Sequence, residues 1–126
     1  MPHLIVEYSS NLEDRVDPRA LVRAVHDAGV ATGAFELKSV RTRAERRDVY
    51  VLANGDPDNA FVTVAVRILR GRDEETRRRV GEAIFNAVCR HLQRVSDVSP
   101  LAISLEVQEI DPIAFVRNTL RATDRT

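Results

Sequence analysis

The sequence predicts an α+β fold in which two β-α-β units lie side by side. Together they form one four-stranded sheet with both helices on one face. Three observations predict it. Residues 3–8 and 60–69 alternate with a period of two, as strands do. Each is followed by a polar turn and then by a helix opening on an aspartate, Asp17 and Asp73. A further alternating run, 101–108, closes the second unit. The chain therefore reads as a single domain over 1–126, with an internal repeat of about 2–56 and 57–112 and a tail from 113 to 126.

In the first strand Leu4, Val6 and Tyr8 share one face and His3, Ile5 and Glu7 the other; Ser9, Ser10 and Asn11 supply turn chemistry. Asp17-Pro18 is a helix start, an acidic N-cap before proline in the first turn. Leu21, Ala24, Val25 and Ala28 follow on one face, with Gly29 and Gly33 as candidate stops. Residues 37–53 predict two short strands, one around Val40 and one over 48–52, with Arg41, Arg43, Arg46 and Arg47 in or beside them. Asn54-Gly55-Asp56-Pro57 is a turn. Strand 60–69 is apolar on both faces, which predicts a central position. Asp73, with Glu74 and Glu75 in the first turn, opens a long helix. Its buried stripe is Val80, Ile84, Ala87, Val88, His91, Leu92 and Val95, with His91 and Cys89 as packing residues. Asp111-Pro112 predicts a short helical turn through Ile113, Phe115 and Val116, and the chain from Thr119 onward reads as a frayed tail.

Composition narrows the function. Hydrophobic content of 44% and charged content of 30% describe a globular chain, and 19 basic residues balance 19 acidic ones. A neutral chain without a basic, aromatic-interleaved stretch does not point to nucleic acid. The Arg77-Arg78-Arg79 run behind Glu74 and Glu75 reads as a solvated helix face. One cysteine excludes an intramolecular disulfide, no apolar run reaches a membrane span, and the amino-terminus is a strand rather than a signal peptide. These features predict a cytoplasmic protein. His3, His26 and His91 lack metal-ligand spacing. With both helices on one sheet face, the other face is uncovered. Its strands still carry apolar residues, which predicts burial by further subunits in a symmetric assembly.

The opening, Met1-Pro2-His3, has two readings. Proline is tolerated as the first residue of a strand. Alternatively, removal of Met1 makes Pro2 a free secondary amine, a titratable base on a rigid element.

Pro2-His3-Leu4-Ile5-Val6-Glu7-Tyr8-Ser9 closely resembles the start of the 5-carboxymethyl-2-hydroxymuconate isomerase family of the tautomerase superfamily. Ile68-Leu69-Arg70-Gly71-Arg72-Asp73 through Ile84 resembles the strand–turn–helix of that superfamily. Val40-Arg41-Thr42-Arg43 and Ala60-Phe61-Val62 are also similar to the isomerase. The resemblance implies a duplicated β-α-β fold like that of macrophage migration inhibitory factor, assembled as a homotrimer. It implies Pro2 as catalytic base, Arg41, Arg43 and Arg72 as substrate-binding residues, and no metal or organic cofactor. The implied substrate is an unsaturated 2-hydroxy polycarboxylic acid from aromatic-compound catabolism.

That chemistry needs a base that titrates near neutrality. Burial and neighbouring arginines both lower an amine's pKa. Leu4, Phe35, Phe61 and Phe115 are available for an apolar wall. Arginine holds a carboxylate through a planar fork and stays charged. Arg46 and Arg47 stand where the family resemblance implies apolar or aromatic residues, a departure that bears on the exact substrate more than on the reaction class. The same proline could serve a hydratase, a decarboxylase or a dehalogenase, and a non-enzymatic oligomeric binding protein is the remaining alternative.

Overall fold

The computed structural model describes residues 1–122. Four strands, β1 (His3–Ser9), β2 (Arg41–Arg47), β3 (Ala60–Leu69) and β4 (Leu101–Ile110), form one sheet in the order β2-β1-β3-β4. β1 and β2 are parallel, β3 runs antiparallel to β1, and β4 is parallel to β3. Helices α1 (Pro18–Ala31) and α2 (Glu74–His91) are the parallel crossovers of the two units, and a short α3 (Gln93–Val98) follows α2.

The helix starts follow from their caps. The Asp17 carboxylate accepts from the Arg19 amide at 3.0 Å, and that of Asp73 from the Thr76 amide at 2.8 Å. Each side chain occupies one of the amide donors a helix leaves open at its first turn. The apolar stripes then face the sheet. Leu21 and Val25 of α1, and Val80, Ile84 and Val88 of α2, bury against Leu4, Val6, Val62, Val64, Val66 and Ile68. Each such side chain contributes about 1.5–3 kcal/mol by leaving water. Two glycines allow close contact. A Cβ on Gly29 would lie 2.7 Å from Leu4 Cδ1, and one on Gly81 would lie 3.1 Å from Val107 Cγ2.

Several expectations are corrected. The two short strands expected around Val40 and over 48–52 are one strand, Arg41–Arg47. Residues 48–52 form no strand; Tyr50 stacks edge-on against Phe61 with ring centroids 6.3 Å apart, and Asn59 Nδ2 donates to the Leu52 carbonyl. The turn after β1 is a 3-10 turn, Ser10–Asp14. The long second helix breaks at Leu92 before α3. His91 is exposed rather than packed in the stripe. The helical turn expected after Asp111-Pro112 is absent, and residues 113–122 are irregular. Of the tail expected to fray from Thr119, residues 123–126 lie outside the described residues.

The uncovered sheet face is more polar than expected. A hollow of about 500 Å³ on it is lined by Ile5 and Ala65 together with Glu7, Glu45, Thr63, Arg67, Glu106 and Gln108. No helix among the described residues is long and apolar enough to cross a membrane.

Candidate active site

The topology gathers one end of every strand at the amino-terminus. β1 and β2 begin there, and β3 and β4 end there. Pro2 is buried, and its carbonyl accepts the Arg41 amide at 3.1 Å, which locks the start of β1 to the start of β2. Three segments remote in sequence thus converge on the terminal amine.

Arg41 contributes the first charge; among the described residues its side chain has neither an ion pair nor a hydrogen bond. Arg72 contributes the second. Gly71, with φ of +118°, turns the chain so that Arg72 points back over the end of the sheet. Its guanidinium lies 5.0 Å from the Phe35 ring centroid, and its Nη2 donates to the Ala34 carbonyl at 3.1 Å. Stacking and backbone hydrogen bonds orient that fork without neutralising it. The terminal amine, here that of Met1, is held below its ordinary pKa. Burial is the largest cause, followed by Arg41 and then Arg72, with Glu36 opposing them. The arrangement can hold a neutral amine beside two cationic forks, which suits proton transfer on an anionic molecule.

Arg43 is placed elsewhere. It projects from β2 beside His3, whose Nδ1 lies 3.1 Å from Arg43 Nη1. Since arginine can only donate, His3 Nδ1 is the acceptor and its Nε2 carries the proton. Burial first, then Arg43, Arg41 and Arg67, holds the His3 pKa down. Arg46 and Arg47 are occupied in ion pairs: Arg46 with Glu13 at 2.8 Å and Asp48 at 2.9 Å, Arg47 with Glu7 at 2.8 Å and Glu45 at 2.6 Å.

Of the residues available for an apolar wall, Phe35 stands at this end, over Arg72. Leu4 is in the core, Phe61 packs on Tyr50, and Phe115 is 93% exposed. Glu36 was missed by the sequence reading. It lies just before a 3-10 turn (Leu37–Ser39), and no local pattern marks its approach to the amine. Among the described residues there is no group of three or more histidine, cysteine or acidic side chains able to hold a metal ion.

Comparison with known proteins decides the family. The family model for 5-carboxymethyl-2-hydroxymuconate isomerase matches residues 2–123. The chain belongs to the 5-carboxymethyl-2-hydroxymuconate isomerase family. It is 34% identical over 123 residues to the 5-carboxymethyl-2-hydroxymuconate Delta-isomerase of Escherichia coli, covering 97% of this chain and 98% of that one. A crystal structure of a 5-carboxymethyl-2-hydroxymuconate isomerase from Deinococcus radiodurans R1 superposes with a TM-score of 0.85 at 30% identity, covering 94% of this chain and 90% of that one. Another 5-carboxymethyl-2-hydroxymuconate delta-isomerase structure superposes with a TM-score of 0.87 at 25% identity, covering 93% and 87%. A fused 4-OT described as a symmetric trimer shares the fold alone, with a TM-score of 0.65 and 21% identity over 94% of each chain. This isomerase family member therefore has the tautomerase fold.

Proposed function

We propose that the protein is an isomerase that moves a proton within 5-carboxymethyl-2-hydroxymuconate or a similar unsaturated 2-hydroxy polycarboxylic acid, with the Pro2 nitrogen as base. The observation that carries this reading is the convergence of Arg41 and Arg72 on the terminal amine. With Met1 removed, the amine is that of Pro2, which is buried and one residue from the amine that Arg41 and Arg72 act on. The neutral nitrogen takes the proton from the substrate's 2-hydroxyl, and the oxygen's electron pair forms the ketone. The double bonds shift along the chain, and the proton now on Pro2 is delivered to the distal carbon. No atom is gained or lost, so no cofactor enters. Arg41 and Arg72 bind carboxylate and stabilise the charge that develops on the enolate oxygen. Arg43, held on His3, belongs to the rim and meets a carboxylate farther from the reacting atoms.

The uncovered sheet face is where copies assemble, most simply as a homotrimer acting in the cytoplasm. Arg67 and Glu106 on that face, without an ion pair among the described residues, can pair with the opposite charges of a neighbouring copy.

Pro2→Ala tests the base. It leaves a primary amine, a weaker base on a chain free of the pyrrolidine ring, and should lower kcat/KM on the muconate by at least about tenfold, up to the roughly 10²–10⁴ that general-base catalysis is worth. A rate equal to that of the unaltered enzyme rules the mechanism out. Mass spectrometry of the amino-terminus accompanies the assay, because a retained Met1 makes the Pro2 nitrogen an amide.

A further inference from the structure

In the run Arg77-Arg78-Arg79 the third residue is more than a solvated charge. Arg79 Nη1 reaches from α2 to the end of α1 and donates to the Thr32 carbonyl at 2.8 Å. Among the described residues it makes no ion pair. The last carbonyls of a helix lack partners within it, and α1 has no basic residue in its own last turn. The cation comes instead from the neighbouring helix.

Thr32 is the hub of that turn. Its hydroxyl donates to the Gly29 carbonyl at 2.7 Å and accepts from the Ala34 amide at 3.3 Å. A hydroxyl can do both at once. The next residues are the seat of Arg72, whose Nη2 donates to the Ala34 carbonyl at 3.1 Å and whose guanidinium lies 5.0 Å from the Phe35 ring centroid. A line of hydrogen bonds therefore runs from Arg79 through Thr32 and Ala34 to Arg72. Capping of α1 accounts for Arg79 at Thr32 but not for this continuation. Ala34 is fixed through its amide on one side, and its carbonyl on the other side holds Arg72. A long arginine side chain has much rotamer freedom to lose, so its aim depends on what it rests against. Displacing a substrate-binding group by about 1 Å can cost about 10² in rate.

We propose that Thr32 and Arg79 are positioning residues, a bracket that holds the end of α1 as the seat from which Arg72 is aimed across the Pro2 end of the sheet. They act through Arg72 and not on the substrate. This rests on the reaction proposed above and adds what sets the reach of its second arginine.

The test is a double-mutant cycle with Arg72. Thr32→Val removes the hydroxyl at nearly constant shape and Arg79→Gln removes the guanidinium. Each is made alone and together with Arg72→Ala, with folding checked by circular dichroism. Arg79 is exposed, so Arg79→Gln carries the test if Thr32→Val does not fold. Alone, each should lower kcat/KM on the muconate by roughly tenfold to 10², with KM raised as well as kcat lowered. In the Arg72→Ala background the same changes should alter kcat/KM by less than about twofold, because the fork they aim is gone. Thr32→Ser keeps the hydroxyl and should restore the rate. Arg78→Gln removes a neighbouring charge that pairs with Glu74, and should leave the rate unchanged. Wild-type kcat/KM in a folded Thr32→Val or Arg79→Gln protein overturns the bracket. So do losses of equal factor with and without Arg72, since the residues then act on stability alone.

Titration of the terminal amine by nuclear magnetic resonance reads the same geometry without substrate. That amine feels Arg41 and Arg72 as lowering charges and Glu36 as a raising one. Loosening Arg72 should raise its pKa in both variants, by no more than Arg72→Ala does. An unmoved pKa counts against the bracket. A wild-type protein without isomerase activity removes the proposed reaction, while this titration still decides the bracket.

Discussion

In the proposed mechanism Arg41 has two electrostatic tasks at one position, and they can be separated. Its positive charge disfavours the protonated amine, and its planar fork can grip a carboxylate. The proposed base, the Pro2 nitrogen, must be neutral to act, so kcat/KM should rise with pH through the amine's pKa. That limb should lie below the one expected for a solvent-exposed amine, because Pro2 is buried and lies one residue from the Met1 amine, whose pKa burial, Arg41 and Arg72 all lower. Arg41→Ala removes one depressing charge, so the pKa rises and the limb moves to higher pH. The plateau of kcat/KM should also fall by about 10²–10³, the cost of losing one oriented donor to a developing oxyanion. Arg41→Lys keeps the charge without the fork. It should leave the limb near its original pH while KM rises. A pH–rate profile of the three proteins checks this, and a limb unmoved in the alanine variant shows that Arg41 does not act on the amine.

At the scale of elements, the strand that carries Pro2 is held from behind by a glycine. Gly29 of α1 is buried, and a methyl group there would sit 2.7 Å from Leu4 Cδ1, two residues after Pro2. Alanine in place of glycine favours a helix by about 1 kcal/mol. Leu4 is fully buried, so its methyl group would have to shift within the core, and overpacking a core costs about 1–3 kcal/mol. Gly29→Ala should therefore lower the thermal midpoint, as read by calorimetry, whereas Gly33→Ala, with open space around it but φ of +73°, tests backbone strain alone. The same packing explains what the sequence could disclose. β1, β3, β4 and both main helices bury one stripe against a common core, so their periodicity is written in the residues. β2 was misread because Arg41–Arg47 is an edge strand whose exposed positions are charged. It is stabilised by pairing with β1 and by the Arg47 bridges to Glu7 and Glu45, and charged edges also discourage unwanted pairing. Val49 and Val51 misled in the opposite sense: they have strand-forming side chains, but residues 48–52 pair with no strand among the described residues. In the candidate site, Arg41 and Arg72 could be chosen by resemblance at matching positions. The Ala34 carbonyl under Arg72, the stacking on Phe35 and the approach of Glu36 arise only when α1's end folds onto the turn before α2.

On the whole-molecule scale the formal charge is zero, yet its distribution is uneven. Around the terminal amine Arg41 and Arg72 face, among the described residues, one carboxylate, Glu36, and Arg43 and Arg67 add to the positive field at neighbouring His3. A polyanionic substrate approaching this end is attracted before it makes contact, and salt should weaken that attraction. Raising ionic strength from about 0.01 M to about 0.1 M shortens the screening length from roughly 30 Å to roughly 10 Å. The expected result is a several-fold fall in kcat/KM with little change in kcat, because the bound substrate's contacts are short compared with either length. Arg70, exposed in the turn before Arg72, supplies the control. Arg70→Gln removes a charge from the same end without touching the paired groups, so it should flatten the salt dependence while leaving kcat in place. A kcat/KM that is indifferent to salt in both proteins would mean that the arginines act only at contact. Their clustering would then serve grip alone, and the uneven charge would have no part in capture.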